Sequence, residues 1–240
     1  MSTLPPLSLN PALDATALAR RFAIDGRVQI ADFLPPEVAD AWHAMLRGRG
    51  DWVQVVNSGD KLFELSREVR AGMAAAQREA LDQAVYAGAR DGFQFRYEAI
   101  RVPDVAEARR GSDDPLAALA RFLSEGDARD FLRTVTGEAR IDFADAQATA
   151  FSPGDFLTGH DDAVTGKKRH AAYVLGLTPV WRTEWGGLLL FHDGRRIADG
   201  FVPALGTLNL FRVPQRHSVT EVTRAAAYRR YSVTGWLRAR

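Results

Sequence analysis

The sequence predicts an α+β fold, a jelly-roll core in the C-terminal half behind N-terminal supporting helices, and three observations carry that reading. From Ile141 onward short apolar runs recur with turn residues between them, at 142–151, 156–162, 170–177, 188–191, 207–213, 218–222 and 229–237, the pattern of a β-sandwich or jelly-roll barrel. Ahead of Ile141 the pattern is mainly helical, with residues 67–90 especially rich in Ala, Glu, Gln and Arg. Finally, 240 residues suffice to bury a sizeable core, and no linker composition divides them. Residues 1–240 therefore read as a single domain, 1–140 mainly helical support with a few strands and 141–240 the jelly-roll half.

Taken in order, Asn10-Pro11 opens a helix whose apolar positions are Leu13, Leu18, Phe22 and Ile24, ended by Asp25-Gly26. Residues 27–31 read as a short strand. A second helix starts at Leu34-Pro-Pro-Glu37, runs through Trp42 and Leu46, and stops at Gly48 and Gly50. Residues 52–56 and 61–66 flank Asn57-Ser-Gly-Asp60, hairpin punctuation between two strands. Residues 67–90 are expected to form one long helix, and 93–100 an alternating strand. Val102 to Pro115 is polar and punctuated by Pro and Gly, a mobile surface loop by composition. Two short helices follow, over 115–123 and 127–135.

Composition excludes several chemistries. There is no cysteine, so disulfides and thiolate metal sites are absent and any metal must be held by His and carboxylate. With 31 basic and 30 acidic residues, no global field draws in nucleic acid. Pro5 and Pro6 break the N-terminal segment, which lacks Lys or Arg ahead of an apolar core, and no run approaches the roughly 20 apolar residues of a membrane span. The expectation is a cytoplasmic protein without membrane or nucleic-acid partners; the oligomeric state is not legible.

The chemistry gathers at Phe151-Ser-Pro-Gly-Asp-Phe-Leu-Thr-Gly-His160-Asp161-Asp162 and at His217. In an extended segment His160 and Asp162 leave the same face, and Asp161 the other. Alone, His-x-Asp also suits a capping or hydrogen-bonding loop. With His217 brought in from a distant strand, the three make a 2-His-1-carboxylate facial triad, which binds Fe(II) and leaves open positions.

Further residues carry a resemblance. Pro153-Gly-Asp-Phe-Leu157 before His160-Asp-Asp162, Trp185-Gly-Gly-Leu188, Phe211-Arg-Val-Pro214 before His217-Ser-Val219, and Arg230-Tyr-Ser232-Val-Thr-Gly-Trp236 together resemble the iron(II)/2-oxoglutarate-dependent dioxygenases, in their prolyl-hydroxylase-like branch. The resemblance covers the C-terminal hundred residues or so. It implies a double-stranded β-helix (jelly-roll, cupin-like) core and His160, Asp162 and His217 as catalytic iron ligands. It also implies 2-oxoglutarate as co-substrate, held at its far carboxylate by Arg230 and Ser232, with dioxygen consumed and ascorbate an optional addition. An Arg fork suits a carboxylate, and loop parity decides whether Arg230 or Arg229 shares the face of His217. Relatives carry a tyrosine for 2-oxoglutarate on the strand after the Asp; Tyr173 is the nearest candidate, though the position can instead fall on Gly176. The implied reaction is hydroxylation of a C–H bond, most naturally of a prolyl residue in a protein or peptide. The alternatives are a free amino acid or other small molecule, a non-catalytic jelly-roll binding module, and a hydrolytic zinc enzyme. The carboxylate ligand Asp162 argues against a halogenase.

Other residues have plainer readings. His192-Asp-Gly194 is a turn, His170 ends the Lys167-Lys-Arg169 loop, and that basic loop either is solvated or touches an acidic or peptide substrate. Trp181, Trp185 and Trp236 are packing groups, and Asn209 and Arg212 fall beside the expected mouth.

Overall fold

The computed structural model describes residues 4–239. In chain order the elements are α1 (Ala15–Asp25), β1 (Arg27–Ile30), α2 (Pro36–Gly48), β2 (Val53–Ser58), β3 (Lys61–Leu65), α3 (Arg67–Gly72), α4 (Ala75–Asp91), β4 (Phe95–Arg101), α5 (Ala106–Arg110), α6 (Pro115–Ser124), α7 (Gly126–Thr136), β5 (Phe143–Ala144), β6 (Gln147–Phe151), β7 (Phe156–His160), β8 (Arg169–Gly176), a 3-10 turn (Thr183–Trp185), β9 (Leu189–Asp193), β10 (Arg196–Phe201), β11 (Thr207–Arg212), β12 (His217–Val219) and β13 (Arg230–Arg238).

All strand pairs are antiparallel and run β1-β11-β8-β13-β6-β4-β7-β12-β9-β10, with the β2–β3 hairpin hung on β4 and β5 on β13. The ends of this path approach each other, since Arg27 of β1 reaches Asp199 of β10 at 2.9 Å. A sheet that curls until its edges meet is a nearly closed barrel, the jelly roll expected from the strand spacing and the double-stranded β-helix implied by the resemblance. Two apolar layers result. Phe151, Ala172, Val174, Leu189, Phe191, Phe211 and Val219 fill the barrel, while Ile30, Trp42, Leu116, Leu132, Tyr173, Leu175, Leu210 and Val233 pack the sheet's other face against the helices.

Local chemistry sets the boundaries, sometimes differently from the expectation. α1 starts later than Asn10: the Asp14 carboxylate accepts from Ala17 N–H at 2.9 Å, a better N-cap, and Asn10 makes the preceding turn. Ile24 projects into solvent instead of joining the apolar face. The single helix expected over 67–90 is two. Ser66 caps α3, Gly72 ends it, Met73 and Ala74 are extended, and the Gln77 side chain receives Ala74 N–H at 2.8 Å to restart the helix. The break lets Arg70 turn to the buried Glu98 while α4 packs Val85 and Tyr86 on Phe156. Residues 102–115 are not a free loop. They contain α5, whose Arg109 is buried, stacks on Phe143 at 4.2 Å and donates to Pro103 O and Ala144 O. β10 was missed because an edge strand exposed on both faces has no apolar alternation to read. The expectation for the N-terminal segment falls partly on residues 1–3, outside the described residues. No helix among the described residues is long and apolar enough to cross a membrane.

Candidate metal centre and anion pocket

One cavity of about 890 Å³ enters the barrel between β4, β6, β8 and β13 on one side and β7 and β12 on the other. His160 ends β7, His217 opens β12, and the two are directly paired across the ladder. Their rings lie 4.1 Å apart between centroids. Asp162 completes the group: its Oδ1 is 3.2 Å from His160 Nε2 and its Oδ2 is 3.5 Å from His217 Nε2. The two imidazole nitrogens and the carboxylate lie within 4.8 Å of one another.

The expected route to this convergence was wrong in one respect. β7 stops at His160, so Asp162 is not the next same-face residue of a strand. It sits at φ +64°, in the left-handed region that Asp tolerates better than most side chains, and the backbone turn swings its carboxylate back to the histidines. Asp161 is spent locally, accepting from Ala163 N–H at 3.0 Å.

The protonation pattern fits a cation. His160 Nδ1 meets Thr158 O at 3.0 Å and His217 Nδ1 meets Gln215 O at 2.8 Å. A carbonyl only accepts, so each ring carries its proton on Nδ1 and turns a bare Nε2 inward. Burial, then the neighbouring His160, hold His217 down to about 4, so it is neutral at physiological pH. Burial pushes the Asp162 carboxyl up, but at acid pH the protonated forms of His160 and His217 pull harder and leave it below its usual range, so it is ionised wherever the two rings are neutral. Three acceptors facing one another repel unless a cation lies between them. The nitrogen and oxygen donor set, open on one side, matches the non-haem Fe(II) triad.

Arg230 lies deeper in the same pocket. It is 3 % exposed, its guanidinium sits 5.0 Å from the Phe151 ring, and burial lowers its pKa to about 10. Its Nε has no hydrogen-bond partner, and no carboxylate within ion-pair distance faces it among the described residues. Gly187, at φ +63°, makes room: a Cβ there would lie 3.1 Å from Arg230 Cδ. Ser232 shares Arg230's face and its Oγ is 2.8 Å from Thr149 Oγ1, whose residue lines the pocket. Arg229 goes to the opposite face, ion-paired with the buried Glu98 and 3.1 Å from Ser152 Oγ. The Arg229/Arg230 ambiguity is thus resolved by a carboxylate behind the sheet.

Tyr173 is among the residues lining the cavity, but its hydroxyl is engaged away from Arg230. It pairs with Gly235 in the β8–β13 ladder, on the face turned to the helices, and its hydroxyl donates to Asp145 O at 2.6 Å. Asn209 is bound by Gln29 at 2.9 Å, and Arg212 reaches over Phe22, so neither lines the mouth. His192 is on β9 with its Nε2 2.8 Å from Ser218 Oγ, and His170 is 3.3 Å from Glu138.

Several lining residues escaped the sequence reading, in which Arg169 stands only as part of the basic Lys167-Lys-Arg169 loop. Phe93, Phe95 and Tyr97 form an aromatic row beside the triad, Phe93 lying 5.4 Å from His160 and Tyr97 stacking on Phe151 at 5.0 Å. Arg169 stacks 3.5 Å over Trp236 at the mouth and donates to Asp162 O at 2.9 Å. The period-two spacing of 93, 95 and 97 was a visible signal of a shared face, but nothing in the sequence said which cavity that face would meet.

With this geometry in view, comparisons agree. Residues 146–238 match the family model of the 2OG-Fe(II) oxygenase superfamily. Prolyl 3-hydroxylase OGFOD1 of Mus musculus is 30 % identical over 152 residues, 60 % of this chain and 27 % of that protein, so the chain spans little more than a quarter of that relative. A prolyl-4-hydroxylase of Pseudomonas putida superposes with a TM-score of 0.58 at 22 % identity, covering 95 % of this chain and 100 % of the other. A prolyl hydroxylase from Trichoplax adhaerens, solved with a hypoxia inducible factor oxygen degradation domain peptide fragment, gives 0.57 at 14 % identity, covering 93 % and 88 %. At these identities the two structures speak to fold, and the family match speaks to the site-bearing segment. The segment that carries the triad and the orphaned arginine, residues 146–238, is thus the segment that is similar to the 2OG-Fe(II) oxygenase superfamily.

Proposed function

We propose that the protein is an Fe(II)- and 2-oxoglutarate-dependent hydroxylase whose substrate is a prolyl residue in a protein or peptide. The observation that carries the reading is the placement, in one pocket, of three converging acceptors and one buried arginine without an anion. An unpaired buried charge costs several kcal/mol, so it persists where a ligand of opposite sign completes it. His160 Nε2, His217 Nε2 and the Asp162 carboxylate would hold the metal, and Arg230, with the Ser232–Thr149 hydroxyl pair beside it, would hold the distal carboxylate of 2-oxoglutarate. Bound there, Fe(II) with 2-oxoglutarate and dioxygen supplies the oxidant for hydroxylating a C–H bond, succinate and carbon dioxide being the co-products.

The chain's own residues perform the remaining work. The Thr158 and Gln215 carbonyls fix both imidazole tautomers before any ligand arrives. Phe151, Phe211, Val174 and Leu189 keep water from the inner pocket, so the Arg230 charge acts in a low dielectric. The mouth, with Phe93 and Phe95 on one wall and Arg169 over Trp236 on the other, has room beyond the co-substrate for a side chain of the target. The prolyl assignment is supported by the named relatives and by the aromatic wall of Phe93 and Phe95 beside the triad, an apolar surface for a proline ring, with Arg101, Asp161 and Lys167 among the lining residues as polar contacts for a peptide backbone. Residues 1–240 would act as one catalytic unit, with ascorbate as an optional reductant.

The test is turnover against matched panels of prolyl peptides, free amino acids and small molecules, scored by succinate release and by a mass gain of one oxygen. Peptides containing proline should turn over and their proline-free counterparts should not. Turnover confined to free amino acids or small molecules would overturn the peptide assignment, and turnover independent of 2-oxoglutarate would overturn the oxygenase reading.

A further inference from the structure

The Pro153-Gly154-Asp155 turn stood out in the sequence, yet none of its side chains touches the pocket. Asp155 is 4 % exposed, a depth at which a carboxylate needs strong partners. Its Oδ2 accepts from Ser152 N–H at 2.7 Å, and its Oδ1 is 3.4 Å from Arg96 Nε. Arg96 then donates through Nη2 to Gly154 O at 2.7 Å and ion-pairs with Asp82. Gly154 is at φ +90°, and a Cβ there would lie 2.9 Å from Arg96 Nη2, so glycine is what lets the guanidinium close on the turn. The main chain of the turn is stitched to the residues after β12: Gly154 N–H donates to Val222 O at 2.8 Å, and Val222 N–H to Asp155 O at 3.0 Å.

These ties join the start of β7 to the far end of the β12 segment. The other ends of the same two strands carry His160 and His217. The ladder between them is short and irregular: His217 pairs with His160 and Val219 with Leu157, with a register shift between. β9 holds the three residues of β12 in regular register on the other edge, so it is the register of β7 on β12, broken by the shift, that the backbone ladder fixes weakly. A one-residue slip would turn one histidine away from the other.

We infer that Asp155 is a positioning residue of the metal centre: with Arg96 and Val222 it clamps the turn that sets the register of β7 on β12, and so the opposition of His160 and His217. The inference rests on the reading of that triad as a metal site. It predicts that Asp155 governs metal affinity without contacting the metal.

The experiment measures Co(II) affinity at pH 8 by competition with a chromophoric chelator, together with the visible Co(II) ligand-field spectrum. The proteins are wild type, Asp155→Ala, Asp155→Asn and Leu132→Ala. Leu132 is fully buried in α7, away from the pocket, and its truncation supplies a destabilised control. Asp155→Ala is expected to weaken Co(II) binding by about tenfold, the lower end of what lost ligand-supporting contacts cost, and to alter the spectrum. Leu132→Ala should lower Tm but keep Co(II) affinity within about twofold of wild type, a small fraction of the tenfold loss expected for support residues. Should Asp155→Ala not fold, Asp155→Asn decides by the same comparison. Co(II) affinity and spectrum unchanged in the Asp155 variant, with only Tm lowered, would overturn the positioning role and leave the metal site standing. No Co(II) binding by wild type would overturn both.

Discussion

Replacing Arg230 by methionine should make the ligand-free protein more stable while destroying its grip on 2-oxoglutarate. The guanidinium is buried without an anion, and burial lowers its pKa from 12.5 to about 10. At about 1.4 kcal/mol per unit, the charged form is penalised by about 3 kcal/mol in the folded state. Methionine forfeits the contact with the Phe151 ring, worth about 1 kcal/mol, and its imperfect fill costs about 1 kcal/mol more. The remainder, about 1 kcal/mol, raises Tm by roughly 2–4 °C for a chain of this size. Binding moves the other way. A carboxylate loses two charge-assisted hydrogen bonds at about 1.5–3 kcal/mol each, a fall of about a hundredfold or more in affinity. Thermal unfolding with and without 2-oxoglutarate, and calorimetric binding to the Zn(II)-loaded protein, read both halves. A variant less stable than wild type by several degrees that still gains Tm from 2-oxoglutarate would refute the reasoning.

Three further outcomes follow from other residues. Asp162→Ala should abolish Co(II) and Fe(II) binding yet raise apo-protein stability slightly, since it removes one of three facing acceptors; a retained ligand-field spectrum would contradict this. Burial raises the Asp155 carboxyl from 3.8 to about 7, against the pull of Ser152 N–H, Arg96 and Arg70. The folded state therefore holds this proton more tightly than the unfolded one. The contribution of Asp155 to stability should grow as pH falls from about 7 toward 4, and its penalty should be full above 7. Urea unfolding of wild type minus Asp155→Asn reads that slope, and parallel pH profiles would contradict it. Glu98→Leu should cost about 3–5 kcal/mol by stranding Arg229 and Arg70, and adding Arg229→Met should restore a large part. Additive losses in chemical denaturation would show that the pair is not coupled.

The parts of the site legible in the sequence were those whose chemistry is unusual. In a cysteine-free chain any metal must be held by His and carboxylate, the resemblance points to His160, Asp162, His217 and the Arg230-x-Ser232 strand, and the strand spacing supports the barrel that unites them. What stayed hidden depended on long-range partners. Arg229 and Arg230 are interchangeable by alternation, and only Glu98, on a strand some 130 residues earlier in the chain, sends one behind the sheet and the other into the pocket. Tyr173 looked suited to the co-substrate because it follows the Asp ligand, but strand pairing with Gly235 turns it to the helix layer. Asp162 was placed correctly for the wrong reason, since a left-handed turn rather than strand alternation brings it back. The 67–90 helix and the 102–115 loop failed alike: helix propensity cannot see that Arg70 must reach Glu98, and loop composition cannot see Arg109 burying itself against Phe143.

The most direct test of the central claim is an anaerobic titration of apo-protein with Fe(II) and then 2-oxoglutarate, followed by visible absorption. Wild type should develop the metal-to-ligand charge-transfer band, Asp162→Ala should lose it, and Arg230→Ala should need about a hundredfold more 2-oxoglutarate to reach it. Metal bound by wild type with no band at saturating 2-oxoglutarate would contradict the claim and leave a zinc-type or non-catalytic site in its place.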